Sequence, residues 1–155
     1  MNSKNQSIVA IDKQKISETY PLPVYNYQVT INGVEIMSFS EISGLEIDHD
    51  HVLYRHGFSW AVGDHLIRGQ RKPINISLKR GLIKRRSDLY DWIKSGEKKD
   101  IRIELCDEAG MGIVVWEVSR ALPFKLDAPS FSASASEVAI ESLDLIAHDL
   151  RVKYN

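Results

Sequence analysis

The amino-acid sequence predicts a mainly β protein, either a β-barrel or two packed antiparallel sheets, with one short flanking α-helix at about residues 87–96. Several segments alternate apolar and polar residues with the period of two that half-buried strands require. The clearest of them puts Ile74, Ile76 and Leu78 on one face. Glycine, proline and asparagine separate these segments, and only one segment has the spacing of an amphipathic helix.

The first strands are predicted between residues 20 and 54. Tyr20–Pro23 gives an extended entry, because each proline disfavours the helical region for the residue before it. Asn32–Gly33 is a strong hairpin signal, since both turn positions require positive φ. Ser43–Gly44 then interrupts the chain. The strands predicted around these signals are Val24–Ile31, Val34–Phe39 and Leu45–Tyr54.

The single helix follows the strand Ile74–Arg80, which ends at Gly81. Ser87 is a plausible N-cap, Asp88 places an anion in the first turn, and Gly96 is a suitable terminator. An apolar stripe completes the pattern, formed by Leu89, Trp92 and Ile93.

The last third of the chain contains further strands. Ile101–Cys106 and Ile113–Val118 are joined by a turn, Pro123 and Pro129 bracket a short extended piece, and residues 130–136 form a loop of small residues. In total the sequence predicts about eight strands and one helix.

Glu137–Ala147 is ambiguous, because Val138 and Ile140 alternate in one phase whereas Leu143 and Leu145 take the opposite phase. A strand with a bulge near residues 141–142 would explain the change of phase, and so would a helix. We favour the strand because the neighbouring elements are strands.

The domain organisation predicted is a flexible N-terminal arm at residues 1–19 and a single domain at residues 20–155. Within this domain, residues 54–70 form a connection longer than most loops of compact proteins. Its apolar content contradicts disorder, and so much exposed apolar surface needs cover, which we expect another copy of the chain to supply. The apolar residues of this long arm are Phe58, Trp60, Val62, Leu66 and Ile67.

Basic and acidic residues are separated along the chain, although its net charge is only −1. Acidic residues concentrate at Glu46, Asp48 and Asp50, whereas His65 to Ser87 contains no Asp or Glu. The basic residues of that stretch are Arg68, Arg71, Lys72, Lys79, Arg80, Lys84, Arg85 and Arg86. Such separation suits nucleic-acid binding or head-to-tail self-association, and a nucleic-acid-binding β-barrel module therefore remains the alternative of another class.

The sequence predicts no enzyme, no cofactor and no metal. His49 and His51 could meet a metal together with His56 or His65, but their spacing matches no structural zinc pattern. No arrangement of nucleophile, base and orienting residue can be assembled, so no catalytic residue is assigned. The single cysteine, Cys106, excludes an internal disulfide. No segment has the pattern of a membrane span or signal peptide.

Several blocks in order carry a family resemblance. They are FSEISGLEID, VLYRHG, GQRKPINISLKRG, LYDWI, IRIELCDEAG, VVWEVSRALPFKLDAPSF and SEVAIESLDLIAHDL. Together they span residues 20–150 and resemble the inner-tube proteins of contractile phage tails and phage-tail-like injection systems. The antifeeding-prophage and virulence-cassette type looks closest. The resemblance implies a fold similar to that of the type VI secretion tube subunit and assembly as a hexameric ring.

The resemblance also implies the partners. A ring of six copies would stack on neighbouring tube rings, contact the baseplate hub or spike and the surrounding sheath, and pass protein cargo through its lumen. It would assemble in the bacterial cytoplasm and could leave as part of a released particle. Neither a membrane nor nucleic acid is an expected partner. Asn75, Ser77 and Lys79 are polar enough to line the lumen.

In this family the long arm reaches the adjoining ring, so charged groups near it are candidates for opposite faces of one contact. The predicted interface comprises Phe58, Trp60, Val62, Leu66, Ile67, Arg68, Arg71, Lys72, Glu46, Asp48 and Asp50. Family members usually carry Pro-Gly-Gln at the end of the arm, where this chain has Arg68-Gly69-Gln70. That departure favours the tube-initiating ring at the baseplate, with the repeating shaft subunit as the alternative.

Overall fold

The computed structural model describes residues 21–33, 35–55, 57 and 63–155. Ten strands and one helix lie within these ranges. In chain order they are β1 (Tyr27–Ile31), β2 (Glu35–Met37), β3 (Glu41–Ser43), β4 (His49–Tyr54), β5 (His65–Arg71), β6 (Ile74–Gly81), α1 (Asp88–Ser95), β7 (Lys99–Cys106), β8 (Gly112–Asp127), β9 (Ile140–Ala147) and β10 (Asp149–Tyr154). The mainly β class with one short helix is therefore confirmed.

Two antiparallel sheets share the long strand β8. The first half of β8 pairs with β7 and β10, in a sheet ordered β2–β1–β7–β8–β10. Its second half pairs with β9, in a sheet ordered β8–β9–β6–β3. Among the described strands β2 and β3 end the order without pairing with each other, so the sheets do not close into a barrel.

Strand β8 also corrects the prediction of a strand at Ile113–Val118 followed by a separate extended piece. The strand continues through Pro123 to Asp127, and its register shifts between Pro123 and Lys125. Arg120, with φ of 54°, lies where β8 changes from one sheet to the other. A proline is tolerated here because its missing N–H falls at the irregularity.

The core lies between the sheets and under the helix. Ile74, Ile76 and Leu78 are buried on the inner face of β6, as the alternation predicted. Leu143 and Leu145 of β9 are fully buried beside them. Each such side chain contributes about 1.5–3 kcal/mol when it leaves water.

Helix α1 covers this core with Leu89 and Trp92. Gly96 ends it in the left-handed conformation at φ of 66°, as expected. Ser87 precedes the helix but makes no capping hydrogen bond to a backbone N–H; its hydroxyl donates instead to Asp91 Oδ2 at 2.7 Å.

The strand interpretation of the ambiguous segment is confirmed, because β9 pairs with β6 over its full length. The predicted bulge near residues 141–142 is wrong, since that register is continuous and the irregularity lies on β8. Val138 and Ile140 are in the opposite phase because they are exposed on the outer face, whereas Leu143 is buried.

The predicted long connection is also corrected. Its second half is strand β5, which pairs with β4 as a two-stranded hairpin. The predicted strand Leu45–Tyr54 is shorter and begins at His49, and the short strand β3 before it was not predicted. Strand β10 was not predicted either. The predicted N-terminal arm at residues 1–19 lies outside the described residues.

Candidate functional site

The β4–β5 hairpin, hereafter the arm, is exposed over most of its described residues. It continues the β3–β6 ladder past the end of the second sheet, where β9 has already stopped at Ala147. Residues of the arm are exposed on both faces. Val52 lies opposite Ile67, and Leu53 lies opposite Leu66. Because successive residues of a strand point to opposite faces, each face carries one of these apolar pairs.

Charged groups hold the base of the arm together. Lys72 Nζ lies 3.2 Å from Asp48 Oδ2 and 3.7 Å from Asp50 Oδ1, and the Lys72 N–H donates to the Asp48 carbonyl at 2.8 Å. The hydrogen bond from Lys72 lowers the pKa of the Asp48 carboxyl, and the same bond raises the pKa of the Lys72 ammonium. Both groups therefore remain charged across the neutral range.

Asp48, Asp50 and Lys72 form one ion-pair cluster within the chain. The placement of the acidic and basic residues on opposite faces of one stacking contact stays a prediction. Glu46 is exposed and forms no ion pair within the described ranges.

Arg71 anchors the arm to the first sheet. Its Nη2 donates to the Leu150 carbonyl at 2.6 Å, and its Nη1 donates to Asp149 Oδ1 at 3.4 Å. The arm therefore has a fixed base, although its strands project from the body.

The basic run does not form one surface for nucleic acid. Lys79 pairs with Glu41 at 3.1 Å, and Arg80 is buried against Glu141 at 2.8 Å. Among the described residues, only Arg68, Lys84 and Arg85 of the run lack an acidic partner. Arg68 is on the arm, at the opposite end of β6 from the other two.

Among the described residues, His49 and His51 belong to no group that could hold a metal ion. Within the part of the chain that the structure describes, no group of three His, Cys, Asp or Glu side chains could hold a metal ion. His49 lies opposite Arg71 and His51 opposite Arg68 in the arm. His56 lies outside the described residues.

The middle of the outer face of the second sheet is polar. Its cross-strand neighbours form two rows, Glu41–Lys79–Ser142–Asp127 and Ser43–Ser77–Asp144–Lys125. Charges alternate within this face, as in the Lys79–Glu41 pair and the Lys125–Asp127 pair, both at 3.1 Å. Asn75 is exposed in the row nearest the arm, where its neighbours Ile146 and Leu122 are half-buried. No aromatic residue belongs to either row.

At the end of β6 opposite the arm, the surface becomes apolar. Ile140 is the partner of Gly81, and the Leu82 N–H donates to the Ala139 carbonyl at 2.9 Å. Phe131 and Val138, which are 88% and 76% exposed, line one shallow cleft with Ile140. We name this surface the distal patch; it comprises Leu82, Ile83, Phe131, Val138 and Ile140.

The fold is that of a known family. The family model of the T4-like virus tail tube protein gp19 matches residues 23–151, which is most of the chain. This chain belongs to that tail tube family. No curated protein matches it.

Solved tail tube structures are similar over nearly the whole chain. A chain of the anti-feeding prophage cap, the tube-terminating cap, is 37% identical with a TM-score of 0.82, covering 88% of this chain and 93% of that one. A chain of the PVC sheath–tube complex, an extracellular contractile injection system in the extended state, is 35% identical with a TM-score of 0.84, covering 92% and 97%. The sequence resemblance to the tube proteins of such systems is confirmed.

A more distant likeness concerns the fold alone. A type six secretion system protein is 7% identical, with a TM-score of 0.54 over 84% of each chain. The expected similarity in fold to a type VI secretion protein is therefore confirmed.

Membership in the tail tube family does not test which residues form the interface, so the residues of the predicted interface stay a prediction. Leu66 and Ile67 are exposed on the arm at 71% and 51%, which suits a contact. Phe58, Trp60 and Val62 lie outside the described residues.

The distal patch was missed from the sequence. The signal for it was present, since the phase of Val138 and Ile140 indicates a second apolar face on the strand. No helix among the described residues is long and apolar enough to cross a membrane.

Proposed function

We propose that this protein is a structural, non-catalytic subunit of the inner tube of a contractile injection system. Six copies form a ring, rings stack head to tail, and cargo passes through the lumen. The observation that carries the proposal is the arm: a hairpin with an apolar pair on each face, fixed at its base, needs a covering surface that the described part of the chain does not supply. Membership in the tail tube family supports the same assembly.

The sequence favoured the tube-initiating ring, and we now propose the repeating shaft subunit instead. The similarity over nearly the full length to a chain of an extended sheath–tube complex supports the shaft. The departure at Arg68-Gly69-Gln70 also has a local explanation. These residues lie within β5, where Arg68 is the partner of His51, so a residue with a backbone N–H suits the ladder.

Electron microscopy of the purified protein separates these roles. The shaft role predicts long uniform tubes formed by this chain alone, because each copy would carry both halves of the stacking contact. Rings that stack only after a hub or shaft protein is added would instead favour the initiator. A chain that stays monomeric at every concentration, alone and with its neighbouring proteins, would contradict the tube function.

Within this assembly we propose that the outer face of the second sheet lines the lumen. The two polar rows offer alternating charge and small hydroxyl side chains without aromatic residues. These two rows contain no apolar side chain that would hold a passing protein. Glu41, Lys79 and Lys125 are paired within the face, which leaves fewer free charges to bind cargo.

Thiol labelling of assembled tubes tests this orientation. Asn75→Cys is expected to react with a small maleimide but not with a polyethylene glycol maleimide too large to enter the tube. Tyr90→Cys, on the exposed side of α1, is the matched control and reacts with both. Burial raises the pKa of the native Cys106 thiol, so its background reaction is slow. Equal labelling of both variants by the large reagent would place residue 75 outside the lumen.

A further inference from the structure

The arm and the distal patch lie at opposite ends of one strand. Strand β6 begins at Ile74, beside the base of the arm, and ends at Gly81, whose partner Ile140 belongs to the patch. Eight residues of strand separate the two surfaces by about 25 Å. The arm therefore cannot fold back onto the patch of its own chain without leaving the ladder that fixes its base.

The two surfaces are alike in chemistry. Each is apolar and exposed in the isolated chain, with Leu66 at 71% on the arm and Val138 at 76% on the patch. The patch is also continuous, because an ideal Cβ at Gly81 would lie 3.6 Å from Val138 Cγ1 and Phe131 shares a cleft with Val138. A surface of this kind at each end suits contact between the ends of two copies.

The charges beside the two surfaces are complementary. Lys84 and Arg85 follow directly after Ile83 of the patch, and neither forms an ion pair with a described residue. Glu46 lies just before β4 at the base of the arm and is likewise without an ion-pair partner in the described ranges. Contact between the opposite ends of two copies brings these unlike charges towards each other.

We propose that the distal patch is the receiving surface for the arm of a second copy of this chain in the next ring. The inference rests on the proposed tube function and adds the acceptor half of the stacking contact. One face of the arm lies on Phe131, Val138 and Ile140, while Lys84 and Arg85 approach the acidic base of the incoming arm. Since donor and acceptor are at opposite ends of each copy, the contact repeats without closing on itself.

Substitution of exposed patch residues tests the proposal in the full chain. Val138→Asp and Phe131→Asp are both outside the strands, so the fold is expected to persist. Each variant is expected to form rings of wild-type mass by light scattering but no tubes by electron microscopy. Leu66→Asp on the arm is expected to give the same result from the donor side. Tyr90→Asp is the matched control, equally charged and placed on α1, and retains tubes.

Crosslinking provides a second measurement that does not depend on a loss of assembly. A chain with Leu66→Cys and Val138→Cys, assembled into tubes and treated with a short bis-maleimide, is expected to give a ladder of covalent multimers. A variant with only one of the two substitutions gives no ladder, because a chain then carries only one half of the contact and the native Cys106 is buried.

The outcomes separate this inference from the function on which it rests. The docking is overturned if Val138→Asp and Phe131→Asp form tubes like those of the wild type. It is also overturned if the double-cysteine chain forms intact tubes but gives no ladder. Both results leave the tube function standing. An unmodified chain that forms neither rings nor tubes overturns both the docking and the tube function.

Discussion

Replacing Arg80 by alanine is expected to lower the free energy of unfolding by about 3–5 kcal/mol, the cost of leaving a buried charge without its partner. Arg80 is only 3% exposed. Its Nε donates to Glu141 Oε1 at 2.8 Å, and its Nη1 donates to Asp88 Oδ2 at 3.3 Å. The substitution leaves the Glu141 carboxylate, whose side chain is 12% exposed, without its ion-pair partner between the second sheet and the start of α1.

Urea denaturation of the unassembled chain measures this effect. Lys79→Ala is the matched control. Lys79 directly precedes Arg80 in β6, but its ion pair with Glu41 is exposed, so the loss of that pair costs less than about 1 kcal/mol. A double replacement, Arg80→Met with Glu141→Leu, is expected to recover most of the stability, since apolar groups of similar volume remove the unpaired charge. Similar midpoints for Arg80→Ala and Lys79→Ala would show that the buried pair contributes little.

Arg80 also shows what a local sequence pattern cannot predict. The alternation of β6 correctly predicted that Ile74, Ile76 and Leu78 face inward, and the same phase puts residue 80 inside. Its charge alone assigned it to a basic surface. The partner that makes burial possible lies sixty-one positions away, on β9, and only the register of that strand pair brings them together.

Long-range pairing explains the other differences from the sequence prediction. Strand β8 runs through Pro123 because β9 and β10 continue each other along its length, and no local pattern signals such a shared strand. Strand β5 carries exposed apolar residues in both phases, which resembles an irregular loop until β4 is placed opposite. Local signals were sufficient where the chain itself determines conformation, as at Asn32–Gly33 and at Gly96.

The candidate assembly surfaces also divide into features that local signals predict and features that depend on long-range pairing. The apolar character of the arm was evident from composition, because Leu66 and Ile67 lie between glycines. The ion pair of Lys72 with Asp48 was not evident from composition, since only the pairing of β4 with β5 brings the two groups to 3.2 Å. The distal patch needed the register of β6 and β9 before Ile140 and Leu82 could be recognised as neighbours.

Replacing Gly44 by alanine is expected to be among the most destabilising single glycine substitutions outside the strands and the helix among the described residues. Gly44 has φ of 88°, and a Cβ there would lie 1.9 Å from the Asn75 carbonyl oxygen, a backbone atom that cannot rotate away. The positive φ costs about 1–2 kcal/mol for an L-residue, and the backbone shift adds about 1–3 kcal/mol. The expected loss of unfolding free energy is therefore about 2–5 kcal/mol.

Gly33→Ala is the matched control for Gly44→Ala. Gly33 also has positive φ, at 71°, but a Cβ there meets no atom within 4 Å, so only the conformational cost of about 1–2 kcal/mol applies. Urea denaturation of both variants isolates the steric part. Equal losses would mean that the β3–β6 ladder adjusts freely at Gly44.

The position of Gly44 gives this variant a second consequence. It follows β3 directly and precedes the segment that enters the arm, so a shift of its backbone away from Asn75 changes the direction in which the arm leaves the second sheet. At temperatures where Gly44→Ala remains folded, we expect rings without tubes, whereas Gly33→Ala retains both. Wild-type tube lengths for folded Gly44→Ala would show that stacking tolerates a redirected arm, and the arm would then be a flexible tether rather than a fixed connector.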